Sequence, residues 1–139
     1  MPSAVDLILI GALLLALVTV ETGGWFLTRV VRGHVPANAL QQGFFRAGHA
    51  HAAVLLVLSV AILAVLPYSA LEGGWLWLGR LGVPVAALLM PAGFFLSVTG
   101  RDPQRPNRLI LLLWIGAASL TAGLLTAGIG LIAGGVGAL

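Results

Sequence analysis

Four charged or titratable side chains lie within otherwise apolar stretches of this chain, and three of them, one carboxyl and two imidazoles, can exchange protons or bind metals. Glu21 lies inside the first apolar stretch, while Arg46, His49 and His51 are grouped near the start of the second. Imidazole exchanges a proton near neutral pH, and a carboxylate beside it can take part in the same transfer. A charged side chain at membrane depth costs at least about 2.5–3.5 kcal/mol, so we interpret these residues as functional candidates.

Helical geometry predicts how these residues meet. Counted from the first connection between apolar stretches, Glu21 and the two histidines are nearly equidistant, so an antiparallel hairpin brings them to one depth. His49 and His51 are separated by about 200° around a helix, so only one of them is expected to face the interior with Glu21. Arg46 shares a face with His49, and Trp114 of the fourth stretch lies at a similar depth. The sequence therefore predicts one polar pocket lined by Glu21, one histidine, Arg46 and Trp114.

Three functions fit such a pocket. The leading hypothesis is proton-coupled transport or binding of a small molecule, with Glu21 as the protonatable centre and His49 or His51 as its partner. The second is a redox subunit that binds haem or a metal through His49 or His51, with Glu21 as a further metal-ligand candidate. The third is a non-catalytic accessory subunit in which the polar side chains only fix the packing of the helices. No catalytic residue is predicted, and the residues leave all three functions open.

The composition places the chain in a membrane and excludes several classes of protein. Of its 139 residues, 60% are hydrophobic and 8% are charged, whereas a soluble domain carries about 25% charged residues. The absence of cysteine excludes disulfides, thiol redox chemistry and Cys-ligated iron–sulfur clusters. All basic residues are Arg at the ends of apolar stretches, so we expect no nucleic-acid partner, and the lack of Lys excludes a retinal-type Schiff base.

Four segments are long and apolar enough to cross a bilayer, which takes about 20 residues. They cover about residues 5–31, 40–66, 75–99 and 108–134, and Asn107 is predicted to cap the last of them. The short connections favour antiparallel neighbours. The expected fold is all-α, a transmembrane four-helix up-down-up-down bundle that forms a single membrane domain over residues 1–139.

The arginines predict the orientation. Six of them flank the first and third connections, whereas Arg80 lies at the other end beside Trp75 and Trp77. The six are Arg29, Arg32, Arg46, Arg101, Arg105 and Arg108. Connections rich in Arg remain in the cytoplasm. We therefore expect a protein of the cytoplasmic membrane with the lipid bilayer as its surroundings and both termini outside the cytoplasm.

Small residues recur every three or four positions along the fourth segment and include Gly116, Ser119, Gly123 and Gly130. Stripes of this kind let helices approach closely in lipid. The stripe has two interpretations, packing on the third helix within one chain or a seam between chains. The second interpretation predicts a homo-oligomer or a larger membrane complex.

Several resemblances to known families rest on these residues. Glu21 in the first helix, the Gly93-Phe94-Phe95 segment and the Gly-rich last helix resemble the small multidrug resistance transporters, which implies proton-coupled export. Arg46 and the histidines that follow resemble the membrane-associated eicosanoid and glutathione metabolism family. The Gly-His-Ala-His stretch at residues 48–51 is similar to haem- and copper-ligating helices of membrane oxidases. The chain as a whole resembles small four-helix bacterial membrane proteins without an assigned activity.

Overall fold

The computed structural model describes all 139 residues and consists of four long helices without any strand. The helices are α1 (Ala4–Val31), α2 (Ala39–Val65), α3 (Gly73–Ser97) and α4 (Leu111–Val136), with short 3-10 turns at Leu66–Tyr68 and Arg108–Ile110. All four are long and apolar enough to cross a membrane. The predicted all-α fold is confirmed, and the chain is an integral membrane protein.

Side chains that hydrogen-bond to the free backbone N–H groups fix the starts of α1 and α2. At α1, the Asp6 N–H donates to Ser3 Oγ (3.2 Å) and the Ser3 N–H donates to the Asp6 carboxylate (2.9 Å). Asn38 and Gln41 form the same reciprocal arrangement at α2. Asn107 accepts from the Leu109 N–H (2.8 Å), so it caps the 3-10 turn that leads into α4 rather than α4 itself. These caps satisfy donors that a helix terminus leaves without partners.

Each helix packs mainly on its neighbour in the chain, and α3 occupies the central position. It contacts α2 on one side and α4 on the other, whereas α1 packs chiefly on α2 and makes no extensive backbone contact with α4. The buried core lies among α2, α3 and α4 and comprises Leu55, Leu56, Ile62, Leu66, Val83, Ala86, Ala87, Met90 and Ala127. The bundle is therefore open on the side where α1 and α4 would have to meet.

Glycine allows α3 and α4 to approach most closely. A methyl group built on Gly123 would lie 2.8 Å from the Gly82 Cα, far inside van der Waals contact, and one on Gly116 would meet Met90. Ser119 Oγ donates to the Gly82 carbonyl (2.8 Å) across the same interface, and Gly130 lies against Leu71 of the α2–α3 connection. The small residues on α4 are thus covered by α3 and by the α2–α3 connection of the same chain. These glycines therefore leave no space for a contact with a second copy.

Hydrogen bonds fasten the connections at both ends of the bundle. At one end, the Ala70 N–H donates to the Gly130 carbonyl (2.9 Å), which ties the α2–α3 connection to α4. At the other end, Gln41 Nε2 donates to the carbonyls of Val98 and Gly100 (both 3.1 Å), and Asn38 Nδ2 donates to Asp102 (2.8 Å). The start of α2 is therefore fixed to the end of α3.

The α3–α4 contact yields a paired stability test. We expect Gly123→Ala to lower stability by about 1–3 kcal/mol, since the added methyl overfills a tight interface. A methyl on Gly128, one and a half turns along α4, meets nothing within 4 Å. Gly128→Ala should therefore be neutral or slightly stabilising, because Ala favours helix over Gly. Thermal unfolding in one detergent measures both variants, and equal melting temperatures would contradict this interface.

Candidate functional site

Glu21 lies on the outer surface of α1. Its side chain is exposed, and the single ion pair of the molecule, between Asp6 and Arg80, does not involve it. No side chain of the protein hydrogen-bonds to it, so the structure does not form a direct bond between Glu21 and His49 or His51. Glu21 and the histidines lie at a similar depth, but the Glu21 side chain is exposed at the edge of the packed face of α1. That face continues from Leu17 and Val20 to Gly23, Gly24 and Phe26. Glu21 is about 60° from Gly24 around the helix.

His49 packs against α1 in a notch formed by Gly23 and Gly24, here called the glycine notch. A Cβ built on Gly23 would lie 3.1 Å from His49 Nδ1, and one on Gly24 would lie 3.6 Å from His49 Cε1. The notch exists because neither residue has a side chain, which leaves room for the imidazole between the helices. The ring makes no hydrogen bond within the chain. His49 therefore fills the space between α1 and α2 and has no hydrogen-bond partner in the chain.

His51 points to the opposite side of α2, as its spacing from His49 requires. Its Nδ1 lies 2.7 Å from the Ala47 carbonyl oxygen, and its ring centroid lies 4.9 Å from that of Phe94 on α3. A carbonyl oxygen can only accept a hydrogen bond, so Nδ1 carries the proton. Nε2 has no partner in the chain and is not buried, because every buried side-chain nitrogen and oxygen has a partner. The imidazole is thus oriented by the backbone and faces outward through Nε2.

Arg46 and Trp114 do not join these residues. Arg46 is exposed and its Nε donates to the Gln42 carbonyl (3.3 Å) one turn earlier in the same helix. Trp114 is 65% exposed on α4, which α3 separates from α2. Nowhere do three His, Asp or Glu side chains approach closely enough to hold a metal ion. The predicted single pocket, and a metal site that combines Glu21, His49 and His51, are therefore not formed within one chain.

A buried ion pair at the other end of the bundle was not predicted. Arg80 Nε donates to Asp6 Oδ1 (2.7 Å), and the two residues are only 7% and 3% exposed. Ser3 Oγ donates to the second carboxylate oxygen of Asp6 (2.7 Å), so both oxygens have partners. The Arg80 guanidinium also lies 4.9 Å from the Trp77 ring centroid. The pair joins α1 to α3 across the bundle.

One feature of the sequence indicates the position of Asp6 in this ion pair. Ser3 and Asp6 have the spacing of a capping box, which places an acid in the first turn of a helix. The neighbouring Trp75 and Trp77 favour an interfacial position for Arg80 and give no sign of an acidic partner. The proximity of Arg80 to Asp6 depends on how α3 packs against α1, which no local pattern in the sequence specifies.

An open cavity of about 710 Å³ lies at the end that holds the first and third connections. It is polar, and its walls include Asn38, Gln41, Arg101 and Asp102. Asp102 has a left-handed backbone conformation (φ 55°), which is uncommon outside glycine. The Asn38 amide donates both to the Asp102 carboxylate and to the Pro103 carbonyl, each at 2.8 Å. These bonds hold the turn, so the polar groups around the cavity mainly satisfy each other.

Comparison with known proteins adds no assignment: no protein-family model matches the chain, and neither curated proteins nor solved structures give a match.

The buried ion pair yields a mutational test. Asp6→Ala should lower stability by about 3–5 kcal/mol, because it strands a buried guanidinium. Replacing both partners with apolar residues, Asp6→Leu with Arg80→Met, should recover most of this loss, since no buried charge then remains. Glu72→Ala removes an exposed acid and should change stability by less than about 0.5 kcal/mol. Unfolding in detergent measures all three, and equal effects of Asp6→Ala and Glu72→Ala would contradict a buried pair.

Proposed function

We propose that this protein is a non-catalytic membrane subunit that works by side-by-side association of copies in the cytoplasmic membrane. The observation that carries the proposal is the outward position of Glu21, an acid within an apolar span without an intramolecular partner. A charge at membrane depth is expensive unless another group pairs with it. In the membrane, a neighbouring chain can supply that group.

A second copy offers a suitable partner in Arg46. This residue is exposed on α2 and takes part in no ion pair within the chain. Counted from the α1–α2 connection, it is about three residues shallower than Glu21, a difference of about 4.5 Å along the helix. The long arginine side chain spans that distance. Two copies with the same orientation therefore present opposite charges at matching depth, and a twofold arrangement would form the pair twice.

Cysteine cross-linking tests this contact sharply, because the natural chain has no cysteine. We expect Glu21→Cys with Arg46→Cys to give cross-linked oligomers in membranes treated with a bismaleimide that is about as long as an arginine side chain, because the two backbones are too far apart for a disulfide. Each single variant should stay monomeric on denaturing gels. Thr22→Cys with Arg46→Cys is the matched control, since Thr22 is exposed next to Glu21 on a different face of α1. Equal cross-linking of the two pairs, or dimers from Glu21→Cys alone, would contradict the Glu21–Arg46 contact.

Proton-coupled binding or transport is a second candidate, and the same exposed carboxyl favours it. A carboxyl without a protein partner is free to bind a proton or a cationic molecule in exchange. In this arrangement the site lies on the surface of the bundle and not in its interior. The two candidates differ in their behaviour: a monomeric protein whose Glu21→Gln variant loses proton release upon binding of a lipophilic cation supports transport and contradicts assembly.

The charge distribution supports an orientation with the α1–α2 and α3–α4 connections in the cytoplasm. Arg80, the one arginine at the opposite end, is neutralised by Asp6 in a buried pair. The six remaining arginines all lie at or near the end with the two connections, and this six-to-one distribution is the bias that the positive-inside rule uses. Both termini would then lie outside the cytoplasm.

Single cysteines test this orientation in intact cells. Ala138→Cys should react with a membrane-impermeant maleimide added from outside, because the C-terminal residues are exposed. Gln104→Cys, in the α3–α4 connection, should react only after the membrane is permeabilised. The reverse pattern would contradict the orientation, and labelling of both residues from outside would indicate that copies insert in both directions.

A further inference from the structure

The Arg80 guanidinium has hydrogen-bond donors that its pair with Asp6 does not use. A guanidinium carries five N–H groups in a planar fork. The edge formed by Nε and Nη2 faces α1, because Nε donates to Asp6 Oδ1 (2.7 Å) and Nη2 donates to Ser3 Oγ (3.4 Å). Nη1 makes no hydrogen bond within the chain, and it is not buried, because every buried side-chain nitrogen and oxygen has a partner. The second edge of the fork, formed by Nη1 and the remaining N–H of Nη2, is therefore free.

This guanidinium lines a cavity of about 210 Å³ at the end of the bundle that holds the α2–α3 connection, here called the Arg80 cavity. Since Arg80 is only 7% exposed, its free edge is reached from this cavity. Ser69 forms another wall, and its hydroxyl accepts from the Leu71 N–H (3.4 Å) but donates to no group of the chain. The cavity therefore contains two kinds of donor, a guanidinium edge and a hydroxyl, without acceptors for them.

The geometry of these donors indicates the class of ligand. Two parallel N–H groups of an arginine match two oxygens of a carboxylate or a phosphate. A phosphate group has a further oxygen that can accept from the Ser69 hydroxyl, whereas a carboxylate has only two oxygens. The apolar walls, which include Leu71 and Leu76, suit the first carbon atoms of a substituent on the phosphate. The cavity also lies where α1 begins and α2 ends, which is the depth of lipid head groups.

We propose that the Arg80 cavity binds one phosphate group, with two oxygens on the free edge of Arg80 and a third at the Ser69 hydroxyl. A lipid head group and free phosphate present the same oxygens to these donors. Asp6 then holds the guanidinium by its other edge, so that Arg80 lies between two anions. The site is independent of the Glu21–Arg46 contact, which belongs to the opposite half of the bundle.

Two substitutions of neighbouring residues separate this site from general attraction of anions to the arginines. Ser69→Asp introduces a carboxylate into the cavity, where it pairs with the free edge of Arg80 and excludes a phosphate group. Ala70→Asp adds the same charge one residue further along, but Ala70 is exposed and is not a wall of the cavity. Both variants keep every arginine and the Asp6–Arg80 pair, so their non-specific attraction for anions is equal.

The experiment is native mass spectrometry of the detergent-solubilised protein, titrated with phosphatidylglycerol or with diacylglycerol of the same chains. We expect phosphatidylglycerol to bind the wild-type protein and Ala70→Asp with affinities that agree within about threefold, since neither change touches the site. Ser69→Asp should bind it at least about tenfold more weakly, because the charge-assisted bonds are lost. Diacylglycerol should not distinguish the variants. Competition by inorganic phosphate would identify free phosphate as a ligand, and its failure to compete would identify the lipid head group.

Three results would overturn the proposal: no binding of phosphatidylglycerol to the wild-type protein, equal binding by Ser69→Asp and Ala70→Asp, or diacylglycerol binding as tight as that of phosphatidylglycerol. A second measurement removes the guanidinium itself. The apolar pair Asp6→Leu with Arg80→Met should show the same loss as Ser69→Asp, and wild-type affinity in that variant would exclude Arg80 as the partner of the phosphate. Circular dichroism shows that each variant is folded.

Discussion

A polar side chain in an apolar span needs a partner, and the way each such group meets this requirement organises the molecule. Asp6 and Arg80 form an ion pair, and the Ser3 hydroxyl donates a hydrogen bond to the second carboxylate oxygen of Asp6. Ser59 Oγ, fully buried, donates to the Leu55 carbonyl one turn earlier in its own helix (2.7 Å). Buried polar atoms all have partners inside the chain. Groups that lack one, such as Glu21 and His51 Nε2, lie at the surface, where another molecule can supply it.

The same requirement explains which helices are held firmly. The glycine contacts between α3 and α4 bring two backbones together over much of their length, so these helices form the stable part of the structure. By contrast, α1 packs along one side only. The ion pair with Arg80 holds its start, Leu13, Leu17 and Val20 pack against the core along its middle, and the Phe26 ring lies 5.4 Å from that of Phe45 near its end. The other side of α1, with Leu14 and Leu15 exposed, has no neighbour within the chain.

The helices could be predicted from the sequence because a span is recognised by length and apolarity alone. Each helix begins and ends within three residues of its expected bounds, although residues 108–110 form a 3-10 turn rather than the first turn of α4. Contacts between helices could not be predicted in the same way. Depth follows from counting residues, but the direction of a side chain changes by about 100° per residue. The contact of α1 with α2 is made through Gly23, Gly24 and Phe26, and it leaves the Glu21 side chain exposed rather than enclosed with a histidine.

The ion pair between Asp6 and Arg80 also has a consequence for biosynthesis. The two residues are separated by 74 positions in the sequence, so all of α1 and α2 is synthesised before Arg80 is added to the chain. During that interval Asp6 has only the Ser3 cap as a partner, and the start of α1 cannot yet occupy its final place. Insertion of α3 therefore completes two elements at once: it adds the central helix and locks the first one. A chain that stalls before residue 80 would leave an acid without its counter-charge at the membrane surface, which membrane quality-control proteases could recognise.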